Sequence, residues 1–339
     1  MEKTGEKFLF EIQNGLIDAS ESEDSPIAVY INPTPAQRET LVSWHSLDEH
    51  TLTSALDPDE TARLEFEPEH TAIILKRPDN VLANGNLDDF GVVSMGIFLF
   101  KDRLIAVKSD NGPLFRPGRP LFKCDSLRGA MLHLIYHSIA QFMANIRVIN
   151  QMSNSIEEHI SHSLGNQALS KMFVLQKSLV YYQSALHSNN LMLFKLKVNA
   201  GRIGFSTEEQ EFLDDIQVEN EQCLKLVEIY TSILTGMSDA RVSIISNNLA
   251  VIMKKLTVIS IVFMPLNILA SMGGMSEWTM MTTGIPWPVA YGIFAAMLLV
   301  IGYATWLVVR KIGIEDTSKP GLPWFSPDKL GRWRNGGKH

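Results

Sequence analysis

The spacing of charged and apolar positions changes abruptly in the last quarter of the chain. Residues 256–276 contain no Asp, Glu, Lys or Arg, and after a single Glu277 none occurs again until Arg310. A helix needs roughly 20 mainly apolar residues to cross the hydrocarbon core of a bilayer. The pattern therefore predicts two transmembrane helices, over residues 256–274 and 287–309, joined by an external loop over residues 275–286.

The sequence before the first span divides into three predicted segments, of which the first two precede a long stalk. Residues 1–124 carry short β-rich runs separated by turn signals, and Pro35 begins a helix that Thr34 can cap. This texture predicts an α/β domain with strands at Phe8–Ile12, Ile27–Ile31, Thr71–Leu75, Val92–Phe100 and Leu104–Val107. Residues 125–205 contain no Pro, and they predict a helical segment whose first helix Asp125 can cap.

Residues 206–255 are expected to form a stalk helix, which continues without a Pro into the first span. Apolar residues recur along it at intervals of three, four or seven, which is typical of a helical stripe. The stripe comprises Phe212, Ile216, Cys223, Val227, Tyr230, Leu234, Met237, Ile244 and Val251. A helix of more than about 60 residues is on the order of 90 Å long, too long for one compact core. We therefore expect it to pack against copies of itself.

Flanking charge predicts the orientation. Lys254 and Lys255 precede the first span, Arg310 and Lys311 follow the second, and the connecting loop has no basic residue. Basic residues stay on the cytoplasmic side, so both termini are expected in the cytosol, with residues 310–339 as a basic tail.

The part before residue 254 carries a net charge of −12. An acidic domain repels nucleic acid and attracts cations, although the same charge is also typical of a merely soluble surface. The two cysteines, Cys124 and Cys223, exclude a disulfide scaffold and suit a reducing compartment.

A motif surrounds the first span. Its segments are Met253-Lys254-Lys255-Leu256-Thr257, Phe263-Met264-Pro265-Leu266-Asn267 and Gly274-Met275-Ser276-Glu277. They resemble the CorA family of divalent metal-ion transporters, the two-span group with a Gly-Met-Asn signature, except that Ser276 replaces the Asn. The resemblance implies a homopentamer with a funnel-shaped cytoplasmic part in the inner or plasma membrane. It also implies transport of Mg²⁺, with Zn²⁺, Co²⁺ and Ni²⁺ as alternatives, and no other cofactor.

One helix face of the first span offers a pore lining. Residues spaced by three or four share a face, and several copies around an axis turn each of them into a ring. The face comprises Met253, Leu256, Ser260, Met264, Asn267 and Ser271. Met253 and Leu256 predict a hydrophobic gate, whereas the Ser and Asn oxygens suit a passing cation. The alternative is that these small and polar residues only pack helices together.

The residues at the outer end of the first span are predicted to form the selectivity filter. Gly274, Met275 and Ser276 follow the pore face directly, and a Ser hydroxyl reaches less far than an Asn amide. We therefore expect weaker Mg²⁺ discrimination unless the backbone carbonyls of Gly273 and Gly274, or Glu277, contribute. Glu277 either collects cations or is a solvated loop residue.

Other metal-ligating residue types carry weaker expectations. The resemblance places Asp215 near an acidic residue that binds regulatory metal between subunits, and Asp214 lies beside it; both also suit a solvated first turn. His133 and His137 share a helix face, and Glu158, His159 and His162 lie close together, but structural roles are favoured because no complete metal motif is present. No catalytic constellation occurs, so an enzyme is not expected. The alternative function is a non-conducting membrane scaffold or metal sensor.

Overall fold

The structure is a computed structural model that describes residues 5–45, 47–79, 90–110, 114, 123–160, 166–281 and 283–311. The chain divides into two compact units, Met1–Asp239 and Ala240–His339, and each is described by itself. The expected basic tail lies outside the described residues from position 312 onward.

The first unit is built on one seven-stranded mixed sheet of order β2-β1-β3-β7-β6-β5-β4. Only β3 and β7 pair in parallel, and every other neighbouring pair is antiparallel. The strands are β1 (Glu6–Gln13), β2 (Leu16–Ser20), β3 (Ile27–Ile31), β4 (Arg63–Phe66), β5 (Thr71–Pro78), β6 (Val92–Leu99) and β7 (Leu104–Lys108). The predicted α/β domain is thus present, with all five predicted strands.

Sequence reasoning missed the two edge strands, β2 and β4. Each is short and none of its residues is fully buried. Because an edge strand needs no continuous apolar run, its hydrophobic pattern is weak, and the backbone pairing with β1 or β5 decides its structure.

The sheet is the middle layer of the unit because successive strand residues point to opposite faces. On β5, Ile73 joins one core cluster and Ile74 the other. The helices are α1 (Pro35–His45), α2 (Glu49–Ser54), α3 (Leu127–Ile160), α4 (Asn166–Val198), α5 (Ala200–Ile203) and the start of α6 (Thr207–Gly273). Residues of α1 and α2 cover one face, and residues of α3, α4 and α6 contribute to the core on the other.

Local capping fixes several helix starts. Thr34 and Gln37 bond each other's backbone N–H groups at 3.3 and 2.8 Å, which confirms the predicted start of α1. The predicted cap of α3 was wrong by one residue. The Ser126 hydroxyl accepts the Gly129 N–H at 2.9 Å, whereas Asp125 is exposed and pairs with Lys123.

Helix α6 is continuous over 67 residues, as predicted. Its apolar stripe, however, is partly buried by contacts within the same chain. Phe212 packs its ring against His133 and Tyr136 of α3, with centroids 5.1 and 5.7 Å apart. The Cys223 thiol lies 3.9 Å from the Ile139 carbonyl, also in α3. The expectation of packing against copies was therefore wrong for five stripe residues, because the core of the first unit already buries them: Phe212, Ile216, Cys223, Val227 and Leu234.

A buried ionic cluster lies at the ends of β5 and β7. Arg77 is fully buried and lies 3.1 Å from an Asp110 carboxylate oxygen, and it donates to Gln141 of α3 at 2.9 Å. Lys108, also fully buried, lies 3.6 Å from the other Asp110 oxygen. Burial and the Arg77 charge together lower the pKa of Lys108 to about 7, against the attraction of Asp110. The Asp110 carboxylate thus lies near two cationic side chains, those of Arg77 and Lys108.

This cluster makes stability depend on pH. The pKa of Lys108 is about 7 in the folded protein and about 10.4 in an unfolded chain. The folded state therefore holds fewer protons between these values, and the wild type gains stability as the pH rises through that window. We expect Lys108→Met to raise the thermal unfolding midpoint most below pH 7, with the gain shrinking toward about pH 9.

The measurement is thermal unfolding of the full-length protein in detergent at several pH values. Lys225→Met is the matched control, because the Lys225 side chain is 72% exposed. A gain from Lys108→Met that is the same at every pH would contradict the assignment.

The second unit contains the C-terminal part of α6, then α7 (Ser276–Met281) and α8 (Trp287–Lys311). By length and hydropathy, α6 and α8 each contain a stretch able to cross a membrane. Both predicted spans are thus found as helices. The expected loop between them is partly helical, because α7 occupies its first half.

Candidate ion pathway

The C-terminal part of α6 has two distinct faces. Val258, Val262, Pro265, Leu266 and Leu269 are half-buried. At 100° per residue these five positions cluster on one side of the helix. Leu266 marks the contact with α8, because a Cβ placed at Gly302 would lie 3.5 Å from a Leu266 methyl carbon. A small residue at such a contact lets two membrane helices approach closely.

The six residues of the predicted pore face lie on the other side of the helix, and all are exposed within the chain. They are Met253, Leu256, Ser260, Met264, Asn267 and Ser271. Met253, Leu256 and Met264 are 64%, 59% and 67% exposed. The face is therefore free to meet other copies of the chain or a central axis, and it carries no charge.

The hydroxyl at position 260 is oriented by its own helix. Ser260 Oγ donates to the Leu256 carbonyl at 3.1 Å, and Thr257 Oγ1 donates to the Met253 carbonyl at 2.9 Å. Because the hydroxyl proton is used in this bond, the lone pairs of Ser260 Oγ are what the side chain offers to its exposed side. Such an oxygen suits a cation or its water shell.

Asn267 belongs to the pore face by its spacing, but it also lies at the edge of a groove. It lines an apolar groove of about 600 Å³ between α6 and α8, together with Leu266, Gly302 and neighbouring apolar residues. The other five pore-face residues do not line this groove. A small rotation of α6 would therefore move the Asn267 side chain from the groove to the proposed pore, or back.

The Gly-Met pair forms the turn that ends α6. The Gly274 N–H donates to the Ser271 carbonyl and the Met275 N–H to the Met272 carbonyl, both at 3.2 Å. These shorter-range bonds tighten the last turn of the helix. Gly274, Met275 and Ser276 are exposed, and Ser276 begins α7. The predicted filter residues thus directly follow the predicted pore face.

Helix α7 is held against the second span by an aromatic contact. The rings of Trp278 and Phe294 have centroids 5.0 Å apart. Glu277 lies between Ser276 and Trp278 on α7, but the position of its side chain is outside the described part. The short helix therefore gives the filter turn a fixed support on α8.

The remaining candidate ligands are not clustered within one chain, as far as the described residues show. Asp214 forms an ion pair with Lys197 at 2.7 Å, and Asp215 is exposed beside it. His133 is occupied by the Phe212 contact described above, while the side chains of residues 158, 159 and 162 lie outside the described part. Within the described residues, no group of three His, Cys, Asp or Glu side chains is placed to hold a metal ion.

Sequence reasoning also missed two polar sites in the first unit. These are the Arg77–Asp110–Lys108 cluster and a pocket around His70. No spacing signal marks either, because their members come from separate strands and helices that only the folded sheet brings together.

A family model described as CorA-like Mg²⁺ transporter protein matches residues 28–311, which is most of the chain. The chain belongs to this family. The predicted resemblance, made from the residues around the first span, is therefore confirmed. The family is one of divalent-cation transporters in membranes, so the class of activity is transport rather than enzyme catalysis.

Individual relatives of this CorA-family chain are distant. The cobalt/magnesium transport protein CorA of Methanocaldococcus jannaschii is 24% identical over 220 residues, covering 62% of the chain and 67% of the relative. The protein of the same name from Thermotoga maritima is 21% identical over 289 residues, covering 82% and 81%.

The fold is shared with solved structures. The complete structure of the CorA magnesium transporter from M. jannaschii has a TM-score of 0.73 at 19% identity, covering 91% of this chain and 98% of that one. The full-length CmaX protein has a TM-score of 0.65 at 14% identity, covering 92% and 98%. These likenesses establish the architecture of an α/β domain, long helices and two C-terminal apolar helices.

The two faces of α6 generate a labelling prediction. Ser271 and Leu269 lie about 200° apart around the helix, with Ser271 on the predicted pore face. We expect a membrane-impermeant, positively charged methanethiosulfonate reagent to block divalent flux through Ser271→Cys and to leave Leu269→Cys conducting. The measurement is flux into proteoliposomes before and after labelling from the outer side.

The native thiols do not interfere with this experiment. Burial raises the pKa of Cys124 to about 11 and that of Cys223 to about 12, so both stay protonated and unreactive. Equal block of both variants, or block of Leu269→Cys alone, would show that the pore face has another register.

Proposed function

We propose that this chain forms a homopentameric channel for divalent cations in the inner or plasma membrane, with both termini in the cytosol. The observation that carries the proposal is the uncharged, exposed face of α6, which leads directly into the Gly274–Met275 turn. Two spans in one chain cannot enclose a pore, whereas five copies around an axis convert this face into stacked rings. A ring without carboxylates does not hold a divalent ion too tightly for release.

The segments take roles that follow from this arrangement. Residues 1–124 are the cytoplasmic α/β domain, 125–205 the cytoplasmic helical segment and 206–255 the stalk. Residues 256–274 line the pore, 275–286 form the outer mouth, and 287–309 form the lipid-facing second span. The assembled cytoplasmic parts form a funnel, and the basic tail stays at the cytoplasmic surface.

The driving force is electrochemical. Moving one charge through 100 mV is worth about 2.3 kcal/mol, so a divalent ion gains about twice that on entering a negative interior. The transported ion is Mg²⁺, or a transition-metal ion such as Co²⁺, Ni²⁺ or Zn²⁺. The relatives' names, which join cobalt and magnesium, support this range.

Flux and selectivity are tested together. Full-length protein in proteoliposomes is expected to take up at least one of Mg²⁺, Co²⁺, Ni²⁺ and Zn²⁺. Ser276→Asn should shift the preference toward Mg²⁺ severalfold, because an amide ring reaches further toward a hydrated ion than a hydroxyl ring. Ser276→Ala is the matched control, since it removes the hydroxyl without adding a longer side chain that could approach the ion.

The outcomes separate the competing functions. A chain that binds cations but conducts none of the four ions would be a scaffold or sensor. That alternative is motivated by the missing Asn at position 276. If the wild type conducts Mg²⁺ and excludes the transition metals, the Ser276 side chain does not determine the selectivity.

The gate is tested at position 256. Met253 and Leu256 form the narrowest apolar rings at the cytoplasmic end of the proposed pore, where they stop ions by excluding water. We expect Leu256→Ser to raise the leak of divalent ions several-fold, because a polar ring stays wet. Ile261→Ser is the control, since Ile261 is similarly exposed (51% against 59%) but lies about 140° away around the helix. A leak that rises equally in both variants would point to a general defect in packing.

Asp214 and Asp215 are proposed to bind regulatory metal at subunit contacts. Asp214 already shares its charge with Lys197, so Asp215 is the stronger ligand of the two. We expect Asp215→Ala to need severalfold more internal Mg²⁺ for the same inhibition of flux. Asp239→Ala, an exposed carboxylate on the same helix, should behave like the wild type. Identical metal titrations of Asp215→Ala and the wild type would leave Asp215 without a regulatory role.

A further inference from the structure

A pocket of about 550 Å³ lies in the first unit, and none of the proposed pore-face residues lines it. Its walls are the β4–β5 turn, the residues that follow β6, the first turn of α3, and α5. The volume lies in the range of small-molecule sites and exceeds what an inorganic anion fills. Nothing in the proposed ion pathway uses this pocket.

The first turn of α3 gives the pocket an electropositive wall. The helix is 34 residues long, and Leu127 and Arg128 at its start both line the pocket. The Ser126 hydroxyl caps one N–H group of this turn. The partial positive charge at the N-terminus of a long helix favours an oxyanion.

His70 supplies an independent indication of a ligand. The residue is 6% exposed, and both ring nitrogens are buried without a hydrogen-bond partner among the described residues. The ring packs against Phe98 and Phe100, with centroids 5.9 and 4.8 Å away. Burial lowers the pKa of His70, against the opposing charges of Glu67 and Glu69. A neutral imidazole can donate one hydrogen bond and accept another, and a buried polar group without either calls for a partner.

Two guanidinium groups complete the polar lining. Arg128 Nε is buried without a hydrogen-bond partner, although it lies 3.7 Å from a Glu209 carboxylate oxygen. That carboxylate is already engaged by the Ser126 hydroxyl and by the Ser206 N–H. The guanidinium of Arg202 stacks 3.9 Å from the centroid of the Phe66 ring, which leaves its edge for hydrogen bonding.

The residues that line the pocket favour an anion over a cation. The lining contains three basic residues, including Lys101, and two exposed acidic residues of the β4–β5 turn, Glu67 and Glu69. With Glu209, which lies 3.7 Å from Arg128, the charges around the pocket balance, whereas the region before residue 254 as a whole carries −12. A metal ion would need three clustered ligands, and none are clustered among the residues described.

We propose that this pocket binds a small organic oxyanion, a phosphate or carboxylate of up to mononucleotide size. The oxyanion lies at the start of α3, where it accepts hydrogen bonds from Arg128 and His70. Arg202 and the aromatic rings of Phe66 and Phe100 contact the organic part. The chain would then carry a ligand site in its cytoplasmic domain that is separate from any site for the transported ion.

Binding is measured by calorimetry and thermal shift on the full-length protein in detergent. The probes are AMP, succinate, inorganic phosphate and adenosine. AMP is used instead of ATP because a triphosphate chelates divalent cations and would change the concentration of free metal ion in the assay. We expect AMP or succinate to bind and to raise the unfolding midpoint, inorganic phosphate to bind more weakly, and adenosine to have no effect.

The variants locate the site. Arg128→Gln should lower the affinity for the tighter-binding probe at least tenfold. Arg38 is an exposed arginine of α1, so the control variant Arg38→Gln should bind the probe like the wild type. Absence of binding by all three oxyanions would overturn the proposal, and so would unchanged affinity in Arg128→Gln. The readout is binding rather than flux, so its failure leaves the channel proposal untouched.

His70→Phe separates a ligand-binding role from a structural one. The substitution keeps the aromatic contacts and removes two buried nitrogens that lack partners. We expect the ligand-free variant to unfold at a higher temperature than the wild type and to lose the ligand-induced shift. A variant that unfolds at a lower temperature and keeps the full shift would show that His70 is a packing residue, and the proposal would be wrong.

Discussion

The membrane imposes the constraint on which the second unit depends. A bilayer core offers no water to backbone N–H and C=O groups, so each must be paired inside the segment that crosses it. The continuous helices α6 and α8 meet this requirement, except at Pro265 of α6, which has no N–H group to donate to the preceding turn. Thr257 and Ser260 meet it for side chains as well, because their hydroxyls donate to carbonyls of their own helix. Polar atoms can then remain on an apolar helix without being left unpaired.

The same constraint shapes the chemistry of the proposed pore. Charged groups are costly at membrane depth, so the donors on the exposed face of α6 are neutral oxygens. Neutral oxygens attract a divalent ion only weakly, which suits passage better than storage. In the proposed channel, we expect discrimination between ions to depend on the outer turn at Gly274 and Met275, which directly follows α6.

The first unit treats buried polar groups in two contrasting ways. Asn189 of α4 bonds both the N–H and the C=O of Lys76 on β5, at 2.9 and 2.8 Å, and so ties a helix to the sheet. Arg77 and Asp110 likewise pair across the core. His70, by contrast, is buried among aromatic rings with its nitrogens unpaired. Other buried side-chain atoms, such as those of Asn190 and Thr231, also lack a hydrogen-bond partner among the described residues, but His70 and Arg128 are the two such residues that line the pocket.

The sequence by itself determined the two spans, the long α6 helix, the central strands and the family. These features rest on local signals: uncharged length, periodicity, the absence of Pro and one short motif. It also determined which six residues share the proposed pore face, because helical spacing alone decides that.

Only the tertiary structure decided what each surface meets. The stripe from Phe212 to Leu234 has the spacing of a self-associating helix, yet most of it is buried in the core of the first unit, because spacing indicates that a face is apolar and not what buries it. No pattern in the sequence marked the Arg77–Asp110–Lys108 cluster or the His70 pocket. Their members are far apart along the chain, and long-range packing, which carries no periodic signal, brings them together.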